Sequence, residues 1–162
     1  MAIVKHSSSK NARYEDVLEY YTCRHREDSR TGYYAPILDK YGLMQPRSDC
    51  AALYLTADGT AAAPERWASA CRRTNLCYSK NNKPSDRKSH EYILSHPAAD
   101  RDKLSMDDLV EEGRAFSKAF LQGYDCLIAV HRDTDNDHIH ISINSVRAKA
   151  RAEQAWMMRD SE

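Results

Sequence analysis

The chain has 162 residues, 41% apolar and 30% charged, with a formal net charge of zero. This is the composition of one ordinary globular domain, long enough to bury a sizeable core. It excludes a bilayer-spanning segment, since no apolar run approaches the required length, and it excludes a signal peptide, since Met1–Lys10 has no apolar core. Five cysteines (23, 50, 71, 77 and 126) without paired spacing point to reduced thiols and a cytoplasmic setting, not to a disulfide framework. Cys71 and Cys77 are wrongly spaced for a metal knuckle.

In chain order, Ala2–His6 reads as a short strand. Asn11 is placed to cap a helix over about residues 12–24, whose Tyr14, Val17, Leu18 and Tyr21 follow helical spacing. Residues 27–49 hold Gly32, Pro36, Gly42 and Pro46 and read as a long loop. Ala51–Thr56 is a strand, and Pro64 suits the first turn of a helix over 64–78. Asn81–Ser89 is a basic loop, followed by a strand over Glu91–Ser95. Ser105 and Asp108 form a capping box with Asp in place of the usual Glu. The helix they open carries Leu109, Phe116, Ala119 and Phe120 on one side, and Gly123 ends it. Asp125–His131 and His138–Val146 are strands joined by the polar turn 132–137. Strands and helices without strict alternation predict an α+β fold, a largely antiparallel central sheet flanked by helices.

Charge is unevenly spread. Residues 72–88 hold Arg72, Arg73, Lys80, Lys83, Arg87 and Lys88 against one acid, Asp86, a net of +5. Residues 100–112 hold six acids and two bases, a net of −4. The acidic run has a structural explanation, because Asp107, Asp108, Glu111 and Glu112 fall near a helix N-terminus, where the dipole favours them. The basic run suits either a solvated face or a surface that tracks phosphates.

The informative segment is residues 131–144, HRDTDNDHIHISIN. Strand alternation puts His138, His140, Ser142 and Asn144 on one face and Ile139, Ile141 and Ile143 on the other, toward the core. The turn returns His131 beside His138, so three imidazoles share one region of a rigid sheet, a sound way to hold a divalent ion with positions left open. Asp133, Asp135 and Asp137 imitate the start of a calcium loop. That loop needs Gly at its sixth position and Glu at its twelfth, where this chain has His138 and Asn144.

This segment resembles the third motif of MOBP-type conjugative relaxases, within the HUH class of single-strand endonucleases. Ala2–His6 resembles the opening strand of that family, and Val17-Leu-Glu-Tyr20-Tyr21-Thr its first motif, a helix bearing the nucleophilic tyrosine. Tyr92-Ile-Leu-Ser95-His96 is similar to the second motif, whose serine contacts DNA around the nick; the family has Ser-Phe where this chain has Ser95-His96. The resemblance implies one relaxase domain over residues 1–162. Relaxases of this family continue further, and residues 156–162 read as an interrupted segment, as in a truncated form.

The resemblance further implies a transesterification on single-stranded origin-of-transfer DNA. A tyrosine hydroxyl attacks a phosphodiester, becomes linked to the 5′ phosphate and releases a 3′ hydroxyl. His131, His138 and His140 are the expected ligands of Mg²⁺ or Mn²⁺, which polarises the phosphate. Asp133 or Asp135 acts as general base or orients a ligand imidazole. All ten tyrosines precede His131, an order that favours a relaxase over initiators that place the tyrosine after the histidines. Tyr14 and Tyr21 lie within the apolar stripe and Tyr20 beside it, which makes Tyr20 the expected nucleophile and Tyr21 the alternative.

Ser95, Lys83, Arg87, Lys88, Asn144 and Arg147 are the expected DNA contacts, with Lys149 also following the metal strand. Trp67 and Trp156 suit a core or lid role more than base stacking. Implied partners are relaxosome accessory proteins and a coupling protein, with no membrane insertion. The alternatives are a rolling-circle replication initiator with the same site, a non-catalytic DNA-binding accessory protein, and an unrelated three-histidine metal hydrolase that uses no tyrosine.

Overall fold

The computed structural model describes residues 2–10, 13–32 and 34–149. The strands are β1 (Ile3–Ser9), β2 (His25–Glu27), β3 (Tyr34–Pro36), β4 (Cys50–Leu55), β5 (Ala61–Ala62), β6 (Ser89–Ser95), β7 (Cys126–His131) and β8 (His138–Asn144). The helices are α1 (Tyr14–Thr22), α2 (Trp67–Tyr78) and α3 (Met106–Phe120). Six strands form one sheet in the order β1-β6-β8-β7-β4-β5, with every neighbouring pair antiparallel, so the α+β expectation holds. The segment expected to be a plain loop contributes β3, which pairs with β2 just before it in a small separate sheet, and β5 was not legible as a strand. Asn11 lies outside the described residues, as does Trp156. Pro64 opens a 3-10 turn over Pro64–Arg66, and the α-helix proper starts at Trp67.

Register decides which face each side chain takes. His138 stands opposite both His131 on β7 and Ser95 on β6, while Asn144 stands opposite Ser89. One face therefore carries His131, His138, His140, Ser142, Asn144, Glu91 and Ser95. The other carries Ile139, Ile141, Ile143, Ile128 and Val130, which pack with Leu109 of α3 in one apolar core. On the histidine side, Tyr14 and Tyr21 of α1 and Trp67 and Cys71 of α2 form a second core over Leu127 and Ala129. Trp67 is fully buried, with Nε1 donating to the carbonyl of Asp125 at 3.0 Å, which settles it as core.

The capping box of α3 is formed in both directions, Asp108 N donating to Ser105 Oγ at 3.1 Å and Ser105 N to Asp108 Oδ2 at 2.9 Å. The buried stripe is Leu109, Gly113 and Ser117, spaced four apart, and not the side expected to include Ala119 and Phe120. Phe120 is 72% exposed and packs onto Phe116 from outside, ring centres 5.0 Å apart. The small residues let α3 approach the sheet closely. A Cβ on Gly113 would stand 2.8 Å from Ile128 Cγ2 and 3.0 Å from Ile139 Cγ2, two stiff branched side chains. Gly113→Val should therefore lower stability by about 1–3 kcal/mol. The measurement is the urea midpoint at unchanged slope; an unmoved midpoint would mean that the helix does not sit this close.

Candidate active site

The three histidines lie at the turn end of the β7–β8 hairpin. The rings of His131 and His140 have centroids 4.5 Å apart, and those of His138 and His140 are 6.1 Å apart. Nε2 of His131 donates to the carbonyl of Tyr21 at 2.7 Å, which leaves Nδ1 as its lone pair. Burial first, then the neighbouring His140, pushes the His131 pKa down to about 4, and the same two causes lower that of His138. Nδ1 of His140 is buried without a hydrogen-bond partner. Glu91 Oε2 is 3.5 Å away, near enough to attract it but not aligned as a hydrogen bond. Among the described residues no three His, Cys, Asp or Glu side chains form a ready-made ligand group. The donors are nonetheless of the right kind for a divalent ion: three imidazoles on one sheet face, two of them biased toward the neutral form, one with an orphaned buried nitrogen.

The last turn of α1 docks onto this face. Tyr21 is only 1% exposed; its hydroxyl donates to the Glu91 carboxylate and bonds to the Ser142 hydroxyl at 2.6 Å. Its ring is 5.1 Å from that of His140 and 6.0 Å from that of His131. Burial and then the Glu91 charge push its phenol well above the ordinary value. Glu91 itself is raised by burial, but His140 and the Tyr21 hydroxyl more than offset this and hold it below its ordinary value. Tyr20, one residue earlier, is half-buried. It lines a groove of about 350 Å³ together with Tyr21, Asp16, Ser7, Ser9, Glu91 and Ser142. Its ring stands 5.5 Å from that of His25 and lies under the Arg47 guanidinium.

Of the two aspartates singled out in the sequence, Asp133 is brought to the site, in an ion pair with Arg47 at 3.0 Å, and its charge reaches both His131 and His138. Asp135 is exposed on the turn and is not brought into this cluster. The buried acid of the turn is Asp137, paired with Arg132 at 3.2 Å. Arg101 clamps the turn from outside through the carbonyls of Thr134 and Arg132, at 2.6 and 2.7 Å.

A family model described as Relaxase, MobA/VirD2-like nuclease domain, matches residues 45–161. The chain belongs to this family. A search of curated proteins gave no match. The family makes the chain a relaxase-type DNA-nicking nuclease. The matched span contains the whole histidine hairpin and excludes α1, which contacts the histidine face through His131, Ser142, Glu91 and Arg47. Among the described residues no helix is long and apolar enough to cross a membrane.

The expected DNA contacts divide sharply. Ser95 shares the histidine face, directly opposite His138. Lys83 and Arg87 are exposed, Arg87 donating to Ser8 Oγ at 2.6 Å. Lys88 departs from expectation: it is 4% exposed and its ammonium is turned back onto the carbonyl of Lys83, because the loop folds over its own stem. Asn144 departs too. It is 1% exposed, its oxygen accepting from Tyr14 and Asn81 and its amide donating to Asn75 and Cys71, so its hydrogen-bonding capacity is spent inside the protein. Arg147 is held at the remote end of β8 by the carbonyl of Gln122, over the Tyr124 ring. His96 pairs with Glu112 of α3 at 2.7 Å, an anchor on the far side of the sheet.

Glu91 and Arg47 were not singled out in the sequence. Glu91 was legible in principle, since it has the same strand parity as Ser95. Arg47 lay in a segment without periodicity and gave no signal.

Proposed function

We propose that the chain nicks single-stranded DNA at an origin of transfer by tyrosine transesterification and so initiates mobilisation of a plasmid or integrative element in the cytoplasm. The observation that carries this is the docking of α1 on the histidine face, His131 to the Tyr21 carbonyl at 2.7 Å, which holds a tyrosine helix against the imidazoles. In this reading Tyr20 attacks, because both tyrosines line the groove but Tyr21 is almost fully buried with its hydroxyl already held by Glu91 and Ser142, whereas Tyr20 is half-buried. Tyr20 Oη forms the new bond to phosphorus, the 3′ oxygen leaves, and the bond energy is kept for rejoining. Glu91, ionised in the same groove, takes the phenolic proton. Tyr21, itself bonded to Ser142, fixes Glu91, and Asp133 anchors Arg47. His131, His138 and His140 would hold Mg²⁺ or Mn²⁺, which would supply polarisation of the scissile phosphate.

One observation favours a second reading, with Tyr21 as the nucleophile: its ring, not that of Tyr20, contacts those of His131 and His140. The overall test is incubation with Mn²⁺ and single-stranded oligonucleotides tiling the DNA beside the protein's own gene, followed by a denaturing gel. A covalent adduct is expected; cleavage without one would instead indicate a plain metal nuclease. Accessory relaxosome proteins and a coupling protein are the partners this function requires.

Ser89 and His138 occupy opposite ends of the site strands, about 20 Å apart at ~3.3 Å per residue. The basic loop before Ser89 thus serves DNA held away from the nick. Replacing Lys83 and Arg87 by Ala should weaken single-strand affinity and flatten its dependence on salt by about one to two phosphate contacts. A wild-type slope in fluorescence anisotropy would show that neither touches phosphate. Lys88→Ala should act on stability, since its ammonium is internal.

A further inference from the structure

Arg47 belongs to none of the sequence motifs, yet it touches both halves of the site. Its Nε donates to the carbonyl of Tyr20 at 2.9 Å, and its guanidinium carbon stands 5.2 Å from the Tyr20 ring centre. Its Nη1 donates to Asp133 Oδ2 at 3.0 Å, and its backbone N–H donates to the carbonyl of Thr22 at 2.9 Å. Helix α1 has no basic residue in its last turn. The terminal carbonyls of a helix lack internal partners and carry its negative dipole end. Here Arg47 and His131 serve the carbonyls of Tyr20, Tyr21 and Thr22 from outside the helix. The Arg47 side chain is only 14% exposed, so water screens these contacts little. A planar fork can grip a carbonyl, a carboxylate and a ring face in one geometry; a lysine ammonium cannot.

We propose that Arg47 is a positioning residue for the transesterification, locking the Tyr20 ring to the Asp133 turn so that the phenol oxygen and the histidine face keep one relative geometry. The inference rests on the reading of Tyr20 as nucleophile. In-line attack requires the oxygen within about 3–3.5 Å of its target, and an error of about 1 Å costs roughly a hundredfold. Asp133 then acts through Arg47, as the anchor of the latch.

The test compares the wild-type chain with Arg47→Ala, Arg47→Lys, Asp133→Ala and the double variant Arg47→Ala/Asp133→Ala. The probes are Mn²⁺ and the tiled oligonucleotides, with thermal melting as the check of folding. Arg47→Ala is expected to lose about a hundredfold in kcat, with KM and oligonucleotide affinity nearly unchanged. Arg47→Lys should recover little. Low-millimolar guanidinium should restore part of the Arg47→Ala rate, a rescue that a merely structural role would not give. The double variant should be no slower than its slower parent, because both changes open one latch. A wild-type kcat in folded Arg47→Ala, or a loss carried wholly by KM, overturns the inference while leaving a Tyr20 adduct in the wild-type chain intact. If Arg47→Ala does not fold, a wild-type kcat in folded Arg47→Lys overturns it equally. An adduct on another tyrosine, or none, removes the Tyr20 reading and this inference with it.

Discussion

Tyr20→Phe is expected to abolish the covalent adduct while leaving metal and DNA binding intact. The substitution keeps the ring, and with it the contacts to Arg47 and His25, and removes only the hydroxyl. The neighbouring tyrosine should not rescue it. One residue along a helix turns the side chain by about 100°, and Tyr21 is sealed by Glu91 and Ser142, with its phenol pushed well above the ordinary value. Tyr21→Phe should instead cost stability, about 1–3 kcal/mol, because it takes a hydrogen bond from a half-buried carboxylate, and it should retain measurable nicking. Peptide mapping of the adduct by mass spectrometry decides between the two. A DNA-linked peptide modified at Tyr21 with Tyr20 intact would reverse the assignment and leave the relaxase family membership untouched.

His138→Ala is expected to lower Mn²⁺ affinity, and nicking with it, by at least about a hundredfold, since even partners of ligands cost ten- to a hundredfold when lost. The fold should survive. His138 is only partly buried and points away from the core built by Ile139, Ile141 and Ile143. His131→Ala is the less clean variant, because it also releases the hydrogen bond to the Tyr21 carbonyl that docks α1. Calorimetric titration of the metal into the free protein is the measurement, with melting temperature as control. Unchanged affinity in folded His138→Ala would remove this histidine from the metal centre.

What could be read without coordinates was local. Alternation over residues 138–144 sorted imidazoles from isoleucines because a strand has a period of two regardless of its neighbours. The capping box at Ser105 was readable because both partners lie within one turn of each other. The family resemblance was carried by the same contiguous hairpin. The buried stripe of α3 departs from its apolar pattern toward the C-terminal end, because the sheet accepts only the small residues Gly113 and Ser117 along its line of closest approach.

Tertiary structure decided which polar groups are spent on the fold and which remain for chemistry. Asn144 has the strand parity of the histidines, yet contacts with Tyr14 and Asn75, 130 and 69 residues away, consume it as a structural amide. Lys88 sits in a basic run but turns inward, and only the folding of the loop sets that. Glu91 enters the site because β6 pairs with β8, which sets it opposite Ser142 and beneath Tyr21. Arg47 meets Asp133 across 86 residues. Hydrogen bonds and ion pairs act over a few ångströms, and sequence patterning carries periodicity but no distance between remote segments. The amino-acid sequence by itself therefore determined the faces and the family, while strand order and helix docking decided the occupants of the site.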